Sequence, residues 1–323
     1  MGLTAKKILR LAIPLALAVF FGWYTFSKLP VDDIIPFFKT ANYGWIFLGV
    51  FFGLLSHLSR AYRWQYLLEP LGYKVKLPNS IMAVFITYLA NYGIPRSGEV
   101  LRAAVLTNYE GVPFEKSFGT IVAERMADML VMLLIIAATL VLQFDYVFGL
   151  LTASLNVSKL LLFGLIVILL LLAVALFIKK SQSTIAVKIK TFLKGLLEGV
   201  MSIFKLKHRW AFLFHTLFIW LMYLSMFYVT TFALPELQNV SIGAVLVGFI
   251  AASFTIAATN GGIFVYPVAV TKSFGLFGIA ATPALAFGWI MWTSQTVLII
   301  IFGIVSFIFL PIYNRRHGQA LKG

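Results

Sequence analysis

NYGIPRSGEVLRAAVLTNYEGVPFEKSFGTIVAERMAD, residues 91–128, carries Arg96, Glu99, Arg102, Glu124, Arg125 and Asp128 between long apolar runs. A charged side chain at membrane depth costs about 2.5–3.5 kcal/mol on insertion scales, so it persists only when paired, hydrated or used. Between Gly93 and Gly98, a Gly, a Pro and a Ser-Gly interrupt the apolar pattern. Irregular backbone survives inside a bilayer only where protein or a watery cavity surrounds it. This broken, charged segment is therefore the first place to seek a site.

The rest of the chain sets its context. Of 323 residues, 61% are hydrophobic and 11% charged, which excludes a soluble globular domain and indicates an all-α, polytopic helical membrane protein. A membrane β-barrel would alternate over segments of about ten residues, whereas these apolar runs are long and unbroken. There is no cysteine, so disulfide and thiol chemistry are absent. His57, His208, His215 and His317 lie far apart, without zinc-site spacing; no metal or cofactor is expected, and no catalytic residue is assigned. The net charge of +15 belongs to membrane loops and anionic lipid, since no nucleic-acid-binding signature accompanies it.

The whole chain, residues 1–323, reads as one transmembrane domain. Spans are expected at about 8–26, 45–68, 118–143, 160–178, 210–234 and 283–310. Lys6, Lys7 and Arg10 precede the first, which reads as a retained helix with no cleavage site after it. Val31–Ala41 reads as a short external amphipathic segment. Arg60 and Arg63, three apart on one helix face, have two readings: snorkelling anchors at the inner interface, or contacts to a phosphate. Residues 81–107 and 242–275 each consist of two short apolar halves about a break. Ile81–Tyr92 is only about a dozen residues, short of the roughly twenty a span needs. Both segments are expected to be re-entrant hairpins. Residues 184–207 alternate apolar and lysine positions at helical spacing and read as an interfacial amphipathic helix.

This arrangement places 19 of the 26 Lys and Arg on one side, four (Lys28, Lys39, Lys159, Lys272) on the other, and Arg96, Arg102 and Arg125 in the core. The asymmetry predicts cytoplasmic termini in the cytoplasmic (inner) membrane. The first hairpin then opens inward and the second outward, an opposition compatible with an inverted repeat.

Within the first hairpin, Ser97 is a candidate cap and the following amides would favour an anion. Glu99 and Arg102 are spaced to pair, as are Arg125 and Asp128, and Glu124 lies four before Asp128. Again two readings stand: a self-neutralising network that only fixes the fold, or a pocket in which a lipid phosphate replaces part of it. Arginine forks suit phosphate. Arg96, in the break itself, is the first candidate. The second break, Thr259-Asn260-Gly261-Gly262, is uncharged; Asn260, Gly261 and Gly262 permit close helix packing or a neutral head-group contact.

Pro95-Arg96-Ser97-Gly98-Glu99 with Arg102, followed by Glu124-Arg125 and Asp128, resembles the signature of the membrane region of lysylphosphatidylglycerol synthases, which also occurs alone as flippase-like integral membrane proteins. Asn260-Gly261-Gly262 is similar to that family's second Gly-Gly motif; the family's flanking proline and glutamate are replaced here by Asn260 and Pro267. The likeness covers nearly the whole chain in segment order. The soluble aminoacyl-transferase domain of the full-length synthases has no counterpart in these residues. The resemblance therefore implies lipid translocation or binding rather than lipid aminoacylation.

The expected function is a transporter-class protein that moves or holds an anionic phospholipid or lipid-linked head group. It lacks a phosphate-binding Gly-rich loop for ATP, and proton coupling through Glu99, Glu124 or Asp128 is open to it. The alternatives are a membrane enzyme of lipid or glycan metabolism, with Glu124 and Asp128 as its acid–base candidates, and a non-catalytic subunit of an envelope complex. The expected partners are lipid and membrane, with no nucleic acid; a homo-oligomer is compatible with all three readings.

Overall fold

The computed structural model describes residues 31–94, 97–144, Ser183, Val187, 206–259 and 261–320. The expected spans 8–26 and 160–178, nearly all of the amphipathic segment 184–207, and the candidate residues Arg96 and Asn260 lie outside the described residues. The described residues form α-helices without a strand: α1 (Val31–Thr40), α2 (Tyr43–Leu68), α3 (Leu77–Gly93), α4 (Ser97–Glu110), α5 (Phe114–Leu142), α6 (Arg209–Thr231), α7 (Ile242–Ala258), α8 (Val265–Gly275) and α9 (Ala281–Ala320). Among them, α2, α5, α6 and α9 are long and apolar enough to cross a membrane.

Helix ends follow local chemistry. Asn42 caps α2, its side-chain oxygen accepting from the Gly44 amide at 3.0 Å, and the Ser241 hydroxyl accepts from the Ala244 amide at the start of α7. The helix α3 begins at Leu77 rather than Ile81, because Pro78 fits the first turn, where its missing N–H costs nothing. It therefore has 17 residues rather than about a dozen. It ends at Ile94, which is extended (φ −124°, ψ 122°), as expected of a residue that precedes a proline.

The chain divides into two compact units, residues 1–124 with 210–323, and residues 125–209; the division falls within α5. In the second unit, the described part of α5 presents Leu133, Leu134, Val141 and Leu142 to its surroundings, a surface suited to lipid.

In the first unit α2 and α6 run antiparallel. The Asn42 amide donates to the Ala233 carbonyl at 2.9 Å, joining the start of α2 to the end of α6. At the other end of the pair, Ser59 Oγ lies 2.8 Å from His215 Nδ1, and Arg63 Nη1 donates to Thr216 Oγ1 at 3.0 Å. Twenty-six residues make α2 about 39 Å long.

The two interrupted segments are helix–break–helix hairpins: α3 packs on α4, and α7 packs on α8. The open end of the first is tied together. Asn79 Nδ2 and the Lys76 amide, at the start of α3, both donate to the carboxylate of Glu110, the last residue of α4. Asn79 also exchanges hydrogen bonds of 2.9 Å with Asn314 of α9. This hairpin follows the end of α2, and the second follows the end of α6, so they open toward opposite ends of the α2–α6 pair. The long helix α9 packs against both, through α3 and α8, and also against α1 and α2. Gly288 meets Pro267 of α8, and Gly303 meets Leu89 of α3.

Gly98 lets the first hairpin close. A Cβ there would collide with the Thr87 carbonyl oxygen. The Gly98 amide donates to Asn91 Oδ1 at 2.9 Å. Overpacking of this kind costs roughly 1–3 kcal/mol. Gly98→Ala should therefore lower the melting temperature of the detergent-solubilised protein, whereas Gly93→Ala, at a position open on all sides, should leave it within error.

Candidate functional site

Three helices of the first unit bring charge together. One face of α2 carries His57, Arg60, Ala61 and Trp64 at spacings of three and four, with Arg63 beside them. Arg102 comes from α4, and Glu124 from α5. Glu124 is completely buried, and the arginines are 3% (Arg60), 0% (Arg63) and 1% (Arg102) exposed. All three reach Glu124. Arg60 Nη1 donates to Oε1 at 2.9 Å, and Arg63 Nη2 lies 3.3 Å from the same oxygen. Arg102 makes a two-pronged pair, Nη1 to Oε1 and Nη2 to Oε2, each at 3.1 Å. The fork geometry of guanidinium allows this, and an ammonium would not reproduce it.

Aromatic rings complete the cradle. The Arg102 guanidinium sits 3.9 Å from the centre of the Trp64 ring, and Trp64 Nε1 donates to Thr120 Oγ1 at 2.8 Å. Arg63 lies over Phe212 at 5.4 Å. Arg60 Nη2 donates to the Tyr223 hydroxyl, itself 3.4 Å from the Tyr88 hydroxyl. Desolvating these charges is expensive, and the network offsets the cost by satisfying them together.

The structure revises several sequence expectations. Arg60 and Arg63 do not snorkel as interfacial anchors; both are buried in the cluster, because Glu124 offers them a partner inside the bundle. Arg102 directs its fork to Glu124 rather than to Glu99, since two carboxylate oxygens at full burial satisfy two N–H groups at once. Glu99 Oε2 is buried without a hydrogen-bond partner. Ser97 is not a donor-capping side chain: its hydroxyl donates to the carbonyls of Ile94 (2.8 Å) and Ala90 (3.3 Å). The Gly98 amide is already taken by Asn91, so it is not open to an anion. In the second unit, Arg125 Nη1 lies 3.9 Å from Asp128 Oδ2, as their spacing suggested; Arg125 is 40% exposed and Asp128 is buried.

The second break meets the tip of the first hairpin. Gly261 (φ +66°) and Gly262 (φ +78°) adopt left-handed backbone, followed by Phe264 (φ +60°). Such a conformation costs a non-glycine residue about 1–3 kcal/mol. A Cβ on Gly261 would sit 2.5 Å from the Tyr92 ring. The Gly261 carbonyl accepts from Trp292 Nε1 at 2.7 Å, Tyr92 Oη lies 3.0 Å from Thr296 Oγ1, and the Gly262 amide donates to Thr259 Oγ1. Tyr88, Tyr92, Trp64, Tyr223 and Trp292 were not singled out from the sequence. The available signal was the His57–Arg60–Trp64 stripe, polar and aromatic on a face of a helix otherwise rich in Gly, Phe and Leu.

Removing the carboxylate charge tests the network directly. Glu124→Gln leaves buried guanidinium groups short of their counter-charge, which should destabilise the protein by about 3–5 kcal/mol. Thermal melting in detergent should fall sharply for Glu124→Gln. It should fall also for Arg102→Lys, because the ammonium cannot span both oxygens.

The chain was also compared with known proteins. The family described as Lysylphosphatidylglycerol synthase TM region matches residues 11–311. The UPF0104 membrane protein MJ1595 of Methanocaldococcus jannaschii is 26% identical over 130 residues, which is 39% of this chain and 39% of that protein. No solved structure matches. With long apolar helices, two broken hairpins and a family match that spans nearly its whole length, this polytopic membrane protein belongs to the lysylphosphatidylglycerol synthase transmembrane-region family.

Proposed function

We propose that this protein binds an anionic lipid or lipid-linked head group and carries it between the leaflets of the cytoplasmic membrane. The observation that carries the reading is the gathering of Arg60, Arg63 and Arg102 about one buried carboxylate in a membrane protein. One arginine suffices to balance a glutamate. Three concentrate positive potential where a phosphate, with its several acceptor oxygens, is the complementary guest. Arg96, between α3 and α4 in sequence, is the residue assigned to meet the head group on arrival, with Glu99 and Glu124 as counter-charges of the same unit.

On this reading both hairpins are re-entrant, the first from the cytoplasm and the second from outside, and the pair forms an inverted repeat. The charge asymmetry supports it. Removing the buried Arg60 and Arg63 from the inner count of 19 leaves 17 inner cations against four outer. Lys74 and Gln238 are exposed at turns on opposite ends of the α2–α6 pair. An impermeant thiol reagent on intact cells should label Gln238→Cys and spare Lys74→Cys, against a background free of native cysteine. Labelling of Lys74→Cys alone would reverse the orientation.

The lipid reading is tested by mass spectrometry of lipids retained on the purified protein, alongside transport in proteoliposomes. Arg96→Gln should express and melt like the parent but retain less anionic lipid and transport more slowly. Full retention and full transport by Arg96→Gln would overturn its place in the site.

A further inference from the structure

Gly98 closes the first hairpin at its break; the opposite end of that hairpin is held by side chains. Asn79, in the first turn of α3, is fully buried, and its Nδ2 donates to Oε1 of Glu110, the last residue of α4. The same oxygen accepts from the Lys76 amide at 3.2 Å, so the carboxylate also sits at the amino-terminal end of α3, where the helix dipole favours it. The bond to Glu110 fixes the orientation of the Asn79 amide and leaves its Oδ1 to Asn314 of α9. The two asparagines exchange a reciprocal pair of 2.9 Å bonds. Asn314 Nδ2 also donates to the Leu310 carbonyl of its own helix at 2.8 Å.

This junction is dry on one side and wettable on the other. Behind it Ser80 and Ala83 are both 0% exposed. Ser80 Oγ has no hydrogen-bond partner among the described residues, and entering water would satisfy it. In front, Glu110 and Asn314 are partly exposed. Water can take over each of their bonds as the junction parts, so parting costs the small net value of a hydrogen bond rather than its gross value. The arginine cluster differs, because its buried charges have no such substitute.

Asn314 is carried on a part of α9 set off from the rest. At Gly303 the helix is packed closely on Leu89 of α3. Pro311 then lacks the N–H that would bond the carbonyl of residue 307, and its ring crowds that carbonyl, which weakens the helix at this point. Beyond the proline, Ile312 and Arg315 are exposed.

We infer that the end of α9 beyond Pro311 is a hinged strap, and that Asn79, Glu110 and Asn314 form the latch that holds it across the open end of the first hairpin. Pro311 is the hinge and Asn314 the catch. Glu110 is the positioning residue that sets the Asn79 amide to receive it. Release admits water between α3 and the end of α9, while the tight packing at Gly98 keeps the break closed. The inference does not depend on what the arginines bind.

The test uses the full chain in mild detergent, where no native cysteine competes. Ser80→Cys and Ala83→Cys are two separate reporters, so that one misfolded variant does not end the experiment. Their rates of reaction with N-ethylmaleimide follow the population of the open form when opening is fast relative to labelling. Ser273→Cys, buried on α8 of the second hairpin, is the control. Adding Asn314→Leu should speed labelling of both reporters about tenfold, the ~1.4 kcal/mol of one to two net hydrogen bonds, and leave the control unchanged. Glu110→Leu should act in the same direction, whereas Glu110→Gln, which keeps an acceptor oxygen, should label like the parent. Pro311→Ala, which restores a continuous helix, should label more slowly than the parent. Unchanged reporter rates in Asn314→Leu would overturn the latch. An equal rise at Ser273→Cys would also overturn it, by showing general loosening of the unit. A rate in Pro311→Ala equal to that of the parent would overturn the hinge.

Discussion

The bidentate grip of Arg102 on Glu124 is the interaction on which the first unit depends. It draws α4 of the first hairpin to α5, and through Arg60 and Arg63 it commits α2 to the same carboxylate. None of these groups has an inexpensive alternative: water is excluded, and an isolated charge at this burial is not tolerated. Trp64 closes the arrangement by stacking on Arg102 while donating to α5 through Thr120. Hydrophobic burial gives little drive for helix association in lipid, where the tails are as apolar as the side chains, so a polar junction of this kind contributes specificity that leucines do not. On the proposed function, scaffold and binding site are not opposed descriptions. A cluster rigid enough to hold three guanidinium groups in fixed geometry is also preorganised for an anion.

What was legible in the sequence was what depends on composition and neighbours. The apolar runs marked α2, α5, α6 and α9. Gly93-Ile94-Pro95 marked the first break, because proline dictates the conformation of the residue before it. Gly261-Gly262 marked the second, where left-handed backbone is needed. That Arg102 and Glu124 would be paired inside the protein followed from the cost of charge at membrane depth. What was not legible is which side chains meet. Arg60 and Arg63 find Glu124 more than sixty residues away, and helical spacing gives no sign of that. Local spacing instead favoured Glu99 for Arg102, and favoured it wrongly, because a neighbour three residues away offers less than a fully buried two-oxygen acceptor.

The same limit applies to the second break. Two adjacent glycines are compatible with simple helix packing, and nothing nearby in sequence names Tyr92 as the group that fills the space. Tyr92 lies on the other hairpin, and its hydroxyl is held by Thr296 of α9. The polar stripe of α2 would have been the better guide. A histidine, two arginines and a tryptophan within eight residues of an apolar helix are costly unless they are partnered, and here the arginines and the tryptophan line the charge cluster.

The long helix α9 is gripped twice, at Gly288 by the second hairpin and at Gly303 by the first. Those positions are fifteen residues apart, about 22 Å along a stiff rod. No proline interrupts the helix between them; its internal Pro311 lies beyond the second grip. A rod held so closely at two points does not bend to suit one neighbour alone. If it tilts about its middle, its two grips move in opposite directions, and the contact of Tyr92 with Gly261 shears. The geometry of a seesaw is thus already present in the chain, with hairpin tips at the fulcrum and a hairpin seated on each arm.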